Sequence, residues 1–347
     1  MEQIKFSPTA EKPENESAFE QVEGRKEALE RALESLQKTL EKRYENFPFH
    51  NPKHSEDVRS GAVKFLETIE GVDSSLVTSE DKEIAELVGL GHDLVQDADT
   101  RRDGAPLSMR VRHRGFGLED ISGRKTEGNE RKSAEELLEE LGTYKDKDGK
   151  NVFDVKEGSV LREKIMNAIA VTYPETDMEL LKSSGFRDLK IFQQYLTPQS
   201  SVLDLAIATA DLRGPLADED FETFRRSGDA EFRELNVAIS EEVAGGIEKI
   251  PQERREAIVK SIRNWKVTQI SFANWQRWLF EESINGNVAL QSAPKGREIM
   301  DALKNAYLPN MEKNIEGTKR VAEESQVLSA ETEENFRQAL EAVGYAI

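Results

Sequence analysis

The chain has 347 residues, of which 37% are hydrophobic and 33% charged, with a formal net charge of −19 at pH 7 and no cysteine. That length can bury a sizeable core in one large domain or two modest ones. The acidic balance argues against general affinity for a nucleic-acid backbone or an anionic membrane, and the missing cysteines exclude disulfides and thiolate metal sites.

The first segment, residues 1–16, is polar and carries two prolines, so it is expected to be a disordered tail. It has no apolar signal core, and no run in the chain approaches the length of a membrane span, which makes the cytoplasm the expected compartment. Ser17 and Glu20 fit a capping box, and Leu29, Leu33, Leu36 and Leu40 follow helical spacing, predicting a helix over 18–46. Asn51 and Pro52 then fit an N-cap and first helical position. The stripe Val58, Ala62, Phe65, Leu66 and Ile69 follows, and His54 lies one turn before it on the same inward face.

Ser79 is expected to cap a third helix, apolar nearly all round, that ends near His92 and Asp93. Gly89 and Gly91 weaken that helix, which points to close packing against a neighbour. From 96 to 128 the chain reads as an irregular loop, and loops this long are mostly functional or mobile. Helices are expected over 130–142, 159–172, 176–183 and 186–195, then over the least polar segment, SVLDLAIATADL. Beyond 218 the composition changes to long charged helices, expected over 218–246, 251–282, 295–306 and 308–343. No strand is convincing. The whole reads as all-α: a tail (1–16), a helical domain (17–217) and a C-terminal helical region (218–347).

The chemistry centres on three places. His54 faces inward, the His92–Asp93 pair closes a buried helix, and Asp211 sits among Ile207, Ala208, Ala210 and Leu212. Burying a carboxylate costs several kcal/mol unless it is paired or binds a metal. Asp204, seven residues earlier, shares nearly the same face. Singly, each residue has a plain structural reading, as a satisfied core histidine or a capping acid. Jointly, two imidazoles and two carboxylates suit Mn, Fe, Co, Ni, Mg or Zn.

These residues resemble the HD-domain superfamily of metal-dependent phosphohydrolases. The match is carried by His54 in FHNPKHSEDV, by the doublet in LVGLGHDLVQD, by Asp211 in AIATADLRG, and by Glu130, Ser133 and Ala134 in GNERKSAEELLEEL. It covers roughly 40–215. The resemblance implies an HD-like helical bundle around one divalent ion held by His54, His92, Asp93 and Asp211. It implies hydrolysis of a nucleotide or other small phosphate ester by an activated water. His50 matches a position that protonates the leaving oxygen in related cyclic-nucleotide phosphodiesterases, or else it only caps the turn before Asn51. Members with two metals supply further histidines after the doublet; here only His113 remains, so one metal is expected. Asp97 and Glu130 are candidate water-activating carboxylates, or solvated helix-end charges.

Arg110, Arg112 and Arg114 stand in an arginine-rich stretch of this acidic chain and are expected to bind substrate phosphate, because a guanidinium fork grips phosphate in bidentate fashion. The tryptophans at 265, 275 and 278 are expected to pack against the first domain or each other, and a homo-oligomer through the C-terminal helices stays open. The competing reading is a catalytically degenerate HD-domain protein acting as a ligand-binding or protein-interaction module.

Overall fold

The structure, a computed structural model, describes residues 20–21, 24–96, 128–185 and 187–347. The expected tail, the 101–125 arginine stretch, His113 and Asp97 lie outside the described residues.

Thirteen α-helices dominate the described residues, so the fold is all-α. They are α1 (Arg25–Tyr44), α2 (Pro52–Glu70), α3 (Ser79–Gly91), α4 (Asn129–Gly142), α5 (Val160–Ala170), α6 (Met178–Ser183), α7 (Val202–Ala217), α8 (Phe221–Leu235), α9 (Val237–Ala244), α10 (Gln252–Gly286), α11 (Val288–Ser292), α12 (Gly296–Ser325) and α13 (Glu333–Glu341). Four very short strands accompany them. Strand β1 (Glu20–Gln21) pairs in parallel with β2 (Tyr144–Lys145), and β3 (Pro174–Thr176) pairs antiparallel with β4 (Ile191–Gln193).

Several local expectations are corrected. The α2 start is as expected, with Asn51 Oδ1 accepting from the backbone N–H groups of Lys53 and His54 at 3.0 and 3.2 Å. For α3, however, Thr78 is the N-cap and Ser79 the first helical residue; Thr78 and Asp81 close a reciprocal capping box. Residues 186–195 form no helix in their described part; instead Ile191–Gln193 pairs with Pro174–Thr176. The expected break between 306 and 308 is absent, because α12 runs through Pro309 at the cost of one backbone hydrogen bond.

The largest core cluster draws on α1 to α5 and α7, and continues without a break into Phe272, Phe280, Leu303, Tyr307 and Met311 of α10 and α12. A smaller cluster joins Phe232, Ile239, Ile258, Phe336, Leu340 and Val343. At the centre of the larger one, α2, α3 and α7 pack against one another at distances set by small residues. A Cβ on Gly89 would lie 2.4 Å from the Arg59 Cα, and a Cβ on Gly61 would lie 3.2 Å from the Ala210 Cβ. The close packing expected from Gly89 and Gly91 is therefore present: Gly89 meets the α2 backbone, and Gly91 abuts Leu137 of α4. These same three helices carry the two histidines and two aspartates.

Candidate metal centre

His54 is the third residue of α2 and is fixed by the Asn51 cap, whose own amide donates to the Phe47 and Pro48 carbonyls. His92 is the C-cap of α3, so the helix ends just as its side chain and that of Asp93 turn inward. Asp211 lies on α7, four residues before Pro215, which lacks the N–H that would bond the Asp211 carbonyl. The residues after the doublet are tied down on both sides. Tyr44 Oη donates to the Leu94 carbonyl and accepts from Gln96 N, both at 2.9 Å, while Ser133 Oγ accepts from Val95 N at 2.9 Å.

The four side chains converge. His54 Nε2 lies 3.4 Å from both Asp93 Oδ2 and Asp211 Oδ1, and His92 Nε2 lies 3.1 and 3.5 Å from the same two atoms. Potential ligand atoms of His54, His92 and Asp93 all fall within 4.8 Å of one another, so this buried group can hold a metal ion. Asp211 flanks both imidazoles.

Two features show that the donor set fits a cation. His92 Nδ1 is 2.9 Å from the Gly89 carbonyl, which can only accept, so Nδ1 carries a proton and Nε2 is the nitrogen turned to the centre and able to ligate a cation. His92 Nε2 and Asp93 Oδ2 are also buried without a hydrogen-bond partner, whereas Asp93 Oδ1 is satisfied by Gln96 Nε2 at 2.8 Å. Buried polar atoms are rarely left unpaired. The electrostatics agree. Burial opposes charge on His92, yet the Asp93 and Asp211 carboxylates push its pKa well above the ordinary value. Burial likewise opposes the ionised aspartates, yet His92 beside Asp93, and His54 with His92 beside Asp211, hold both carboxyls below the usual range. The centre calls for positive charge.

Asp204, the alternative to Asp211, is otherwise engaged. It closes a capping box with Ser201, accepting from Ser201 N at 2.9 Å and donating its own N–H to Ser201 Oγ at 3.1 Å.

The centre opens on a pocket of about 150 Å³ lined by His92, Asp93 and Asp211 together with His50, Glu130, Phe224, Glu231, Glu234, Gln269 and Phe272. His50 does not cap the turn through its ring. Its Nδ1 lies 2.5 Å from Glu234 Oε1, while Glu234 Oε2 accepts from Phe49 N and His50 N at 2.9 and 3.1 Å. Burial disfavours the imidazolium, but the Glu234 carboxylate outweighs it and lifts the His50 pKa to about 9. Glu130 has its Oε2 closed off and unpartnered. Burial first, then the Asp93 and Asp211 charges, raise its pKa to about 8, so it is largely protonated at neutrality.

The sequence did not single out Glu234, Gln269 or Gln96. Glu234 comes from the C-terminal region, and its only sequence signal is an acid three residues after Glu231 and seven after Ser227 on one face of α8. Trp275 and Trp278 stack at 4.6 Å and Trp275 Nε1 donates to the Ile191 carbonyl, as expected, whereas Trp265 packs on Phe232 and donates to the Gly228 carbonyl within the C-terminal region. No helix among the described residues is long and apolar enough to cross a membrane. Scans against protein-family models, curated proteins and solved structures each find nothing that matches this chain.

Proposed function

We propose that this protein is a metal-dependent phosphohydrolase acting on a small phosphate ester. One observation carries the reading: the His54–His92–Asp93–Asp211 ring, with its unpaired Nε2 and Oδ2, opens onto a pocket whose wall also holds a proton-bearing His50. His54, His92, Asp93 and Asp211 would hold one divalent ion. When bound, that ion supplies Lewis acidity, lowering the pKa of water and neutralising charge on phosphoryl oxygens.

The remaining steps belong to the chain's own residues. Glu234 takes the Nδ1 proton of His50 in a hydrogen bond and leaves the opposite ring nitrogen for the pocket. In hydrolysis, a bond forms between phosphorus and the water oxygen, whose surplus proton passes to solvent, while the phosphorus–leaving-oxygen bond breaks. The departing oxygen needs a proton, and the His50 imidazolium is suited to give it. Burial and the nearby Asp93 and Asp211 charges raise the Glu130 pKa, which suits its carboxyl to hold a proton on the pocket wall beside the substrate. Phe49 packs edge-on against His50 with ring centroids 4.8 Å apart, and it also covers His54 at 4.7 Å, which limits water around both rings.

The reading assigns substrate phosphate to Arg110, Arg112 and Arg114, and replacing all three with alanine should raise the Michaelis constant. The primary test is metal analysis of purified protein after reconstitution with Mn, Co, Ni and Mg, followed by a turnover screen over phosphate esters. Stoichiometric metal and turnover, both lost in Asp93→Ala, support the proposal. No stoichiometric metal sinks the site. Turnover that survives Asp93→Ala sinks the assignment, and stoichiometric metal without turnover on any ester favours a binding module.

A further inference from the structure

Arg213, two residues beyond Asp211 on α7, is among the largest fully buried side chains and only 1% exposed. Its guanidinium makes no ion pair among the described residues, and its Nε is closed off without a hydrogen-bond partner. A buried charge without a paired carboxylate destabilises a fold, and an apolar side chain of similar volume is commonly neutral or better in such a place. Stability alone does not account for a guanidinium here.

What it touches is specific. Arg213 Nη1 donates to Gln193 Oε1 at 2.9 Å and to the Ala208 carbonyl at 3.2 Å, and Gln193 Nε2 donates to that same carbonyl at 2.9 Å. The three groups close a triangle between β4 and the turn of α7 that leads into Asp211. That turn needs a brace. Pro215 leaves the Asp211 carbonyl without its helical donor, so α7 lacks a bond at the residue that must hold still. The other end of the brace is anchored from the C-terminal region. The Ile191 carbonyl of β4 accepts from Trp275 Nε1 and Gln276 Nε2 of α10, both at 3.1 Å. Pro174, Thr176 and Ile191 of the β3–β4 ribbon line the pocket, whose described lining does not include Arg213.

We infer that Arg213 is a positioning residue: with Gln193 it straps α7 to the β3–β4 ribbon and holds Asp211 in register with His54, His92 and Asp93 for the cation. This rests on the metal reading and deepens it, because the alignment of one ligand is then set by α10 acting through the ribbon. Groups that orient a metal ligand from behind typically govern about ten- to a hundredfold of metal affinity.

The test uses the full chain carrying Arg213→Met and Gln193→Met together, which removes both polar partners and keeps much of their volume. Replacing both ends of a hydrogen bond by apolar groups of like shape is nearly neutral, so the Tm of the cation-free variant should match or exceed that of wild type. Calorimetric titration with Mn²⁺ should nonetheless show an affinity lowered by about tenfold or more. With no cation present, deuterium exchange should speed up in the 208–212 turn while α2 and α3 stay as protected as in wild type. An unchanged Mn²⁺ affinity or an unchanged exchange rate overturns the inference. So does a tighter affinity, which would mean that the guanidinium only repels the cation. A variant that loses Tm or fails to fold also overturns it, since the pair would then serve the fold alone. Failure of the wild type to bind Mn²⁺ removes the metal reading instead, and the exchange comparison still decides whether the strap holds the turn before Asp211.

Discussion

Replacing Glu234 with glutamine keeps the shape of its side chain and removes the charge that holds His50 protonated. The His50 side chain is 27% exposed and that of Glu234 only 9%, so solvent screens the pair weakly. The pair raises the His50 pKa from 6.5 to about 9 and lowers that of Glu234 from 4.5 to about 2, each against the opposing effect of burial. The His50 shift corresponds to about 3 kcal/mol of preference for the charged ring, as an order of magnitude. Because the folded pKa is raised, this contribution is fully present below the unfolded value of about 6.5 and fades as pH rises through about 9. The matching loss at the acid end begins below the ordinary Glu value and is complete as pH falls through about 2. The assay is an NMR titration of the ring protons, with His50→Gln identifying the resonance among the four histidines. In Glu234→Gln the His50 pKa should fall well below 9, since burial disfavours the imidazolium and only the weaker pull of Asp93 and Glu231 remains. A value that stays near 9 would refute the reasoning that Glu234 sets the protonation of this ring.

Other outcomes follow from the packing around the centre. Gly89→Ala places a methyl group 2.4 Å from the Arg59 Cα, a backbone atom that cannot step aside; thermal denaturation should show a loss of about 3 kcal/mol or more. Ser133→Ala leaves the Val95 N–H without its acceptor beside a fully buried position and should cost about 1–3 kcal/mol in chemical denaturation. Mn²⁺ at one hundred times its dissociation constant should stabilise the chain by about 2.7 kcal/mol, seen as a rise in Tm that Asp93→Ala abolishes. A Tm that ignores added metal would contradict the centre.

The reach of the sequence differs from one part of the molecule to another. Asn51–Pro52 and the stripe behind it place α2 and the inward His54 from spacing alone, because capping and periodicity are local. The glycines of α3 announce a tight neighbour without identifying it. The choice between Asp211 and Asp204 turns on a capping box at Ser201 that the sequence also contains, three residues before Asp204. Short strands such as β3 and β4 escape because three residues carry too little pattern to outweigh a helical reading, and their pairing spans a connection that includes α6. Glu234 escapes for a different reason: it meets His50 across 184 residues, and nothing in a charged amphipathic helix distinguishes the acid that reaches back from those that face water.

That long reach has a consequence for how the protein is made. Synthesis proceeds from the N-terminus, so all four ring residues have been added once the chain has grown to Asp211. The group that orients His50 is added later, on a helix that packs against α7 and α12. A nascent or prematurely ended chain can thus hold all four ring residues before the partner of His50 exists. Under the proposed hydrolysis, competence for chemistry is deferred until the C-terminal helices arrive, and an incomplete product would bind without turning over.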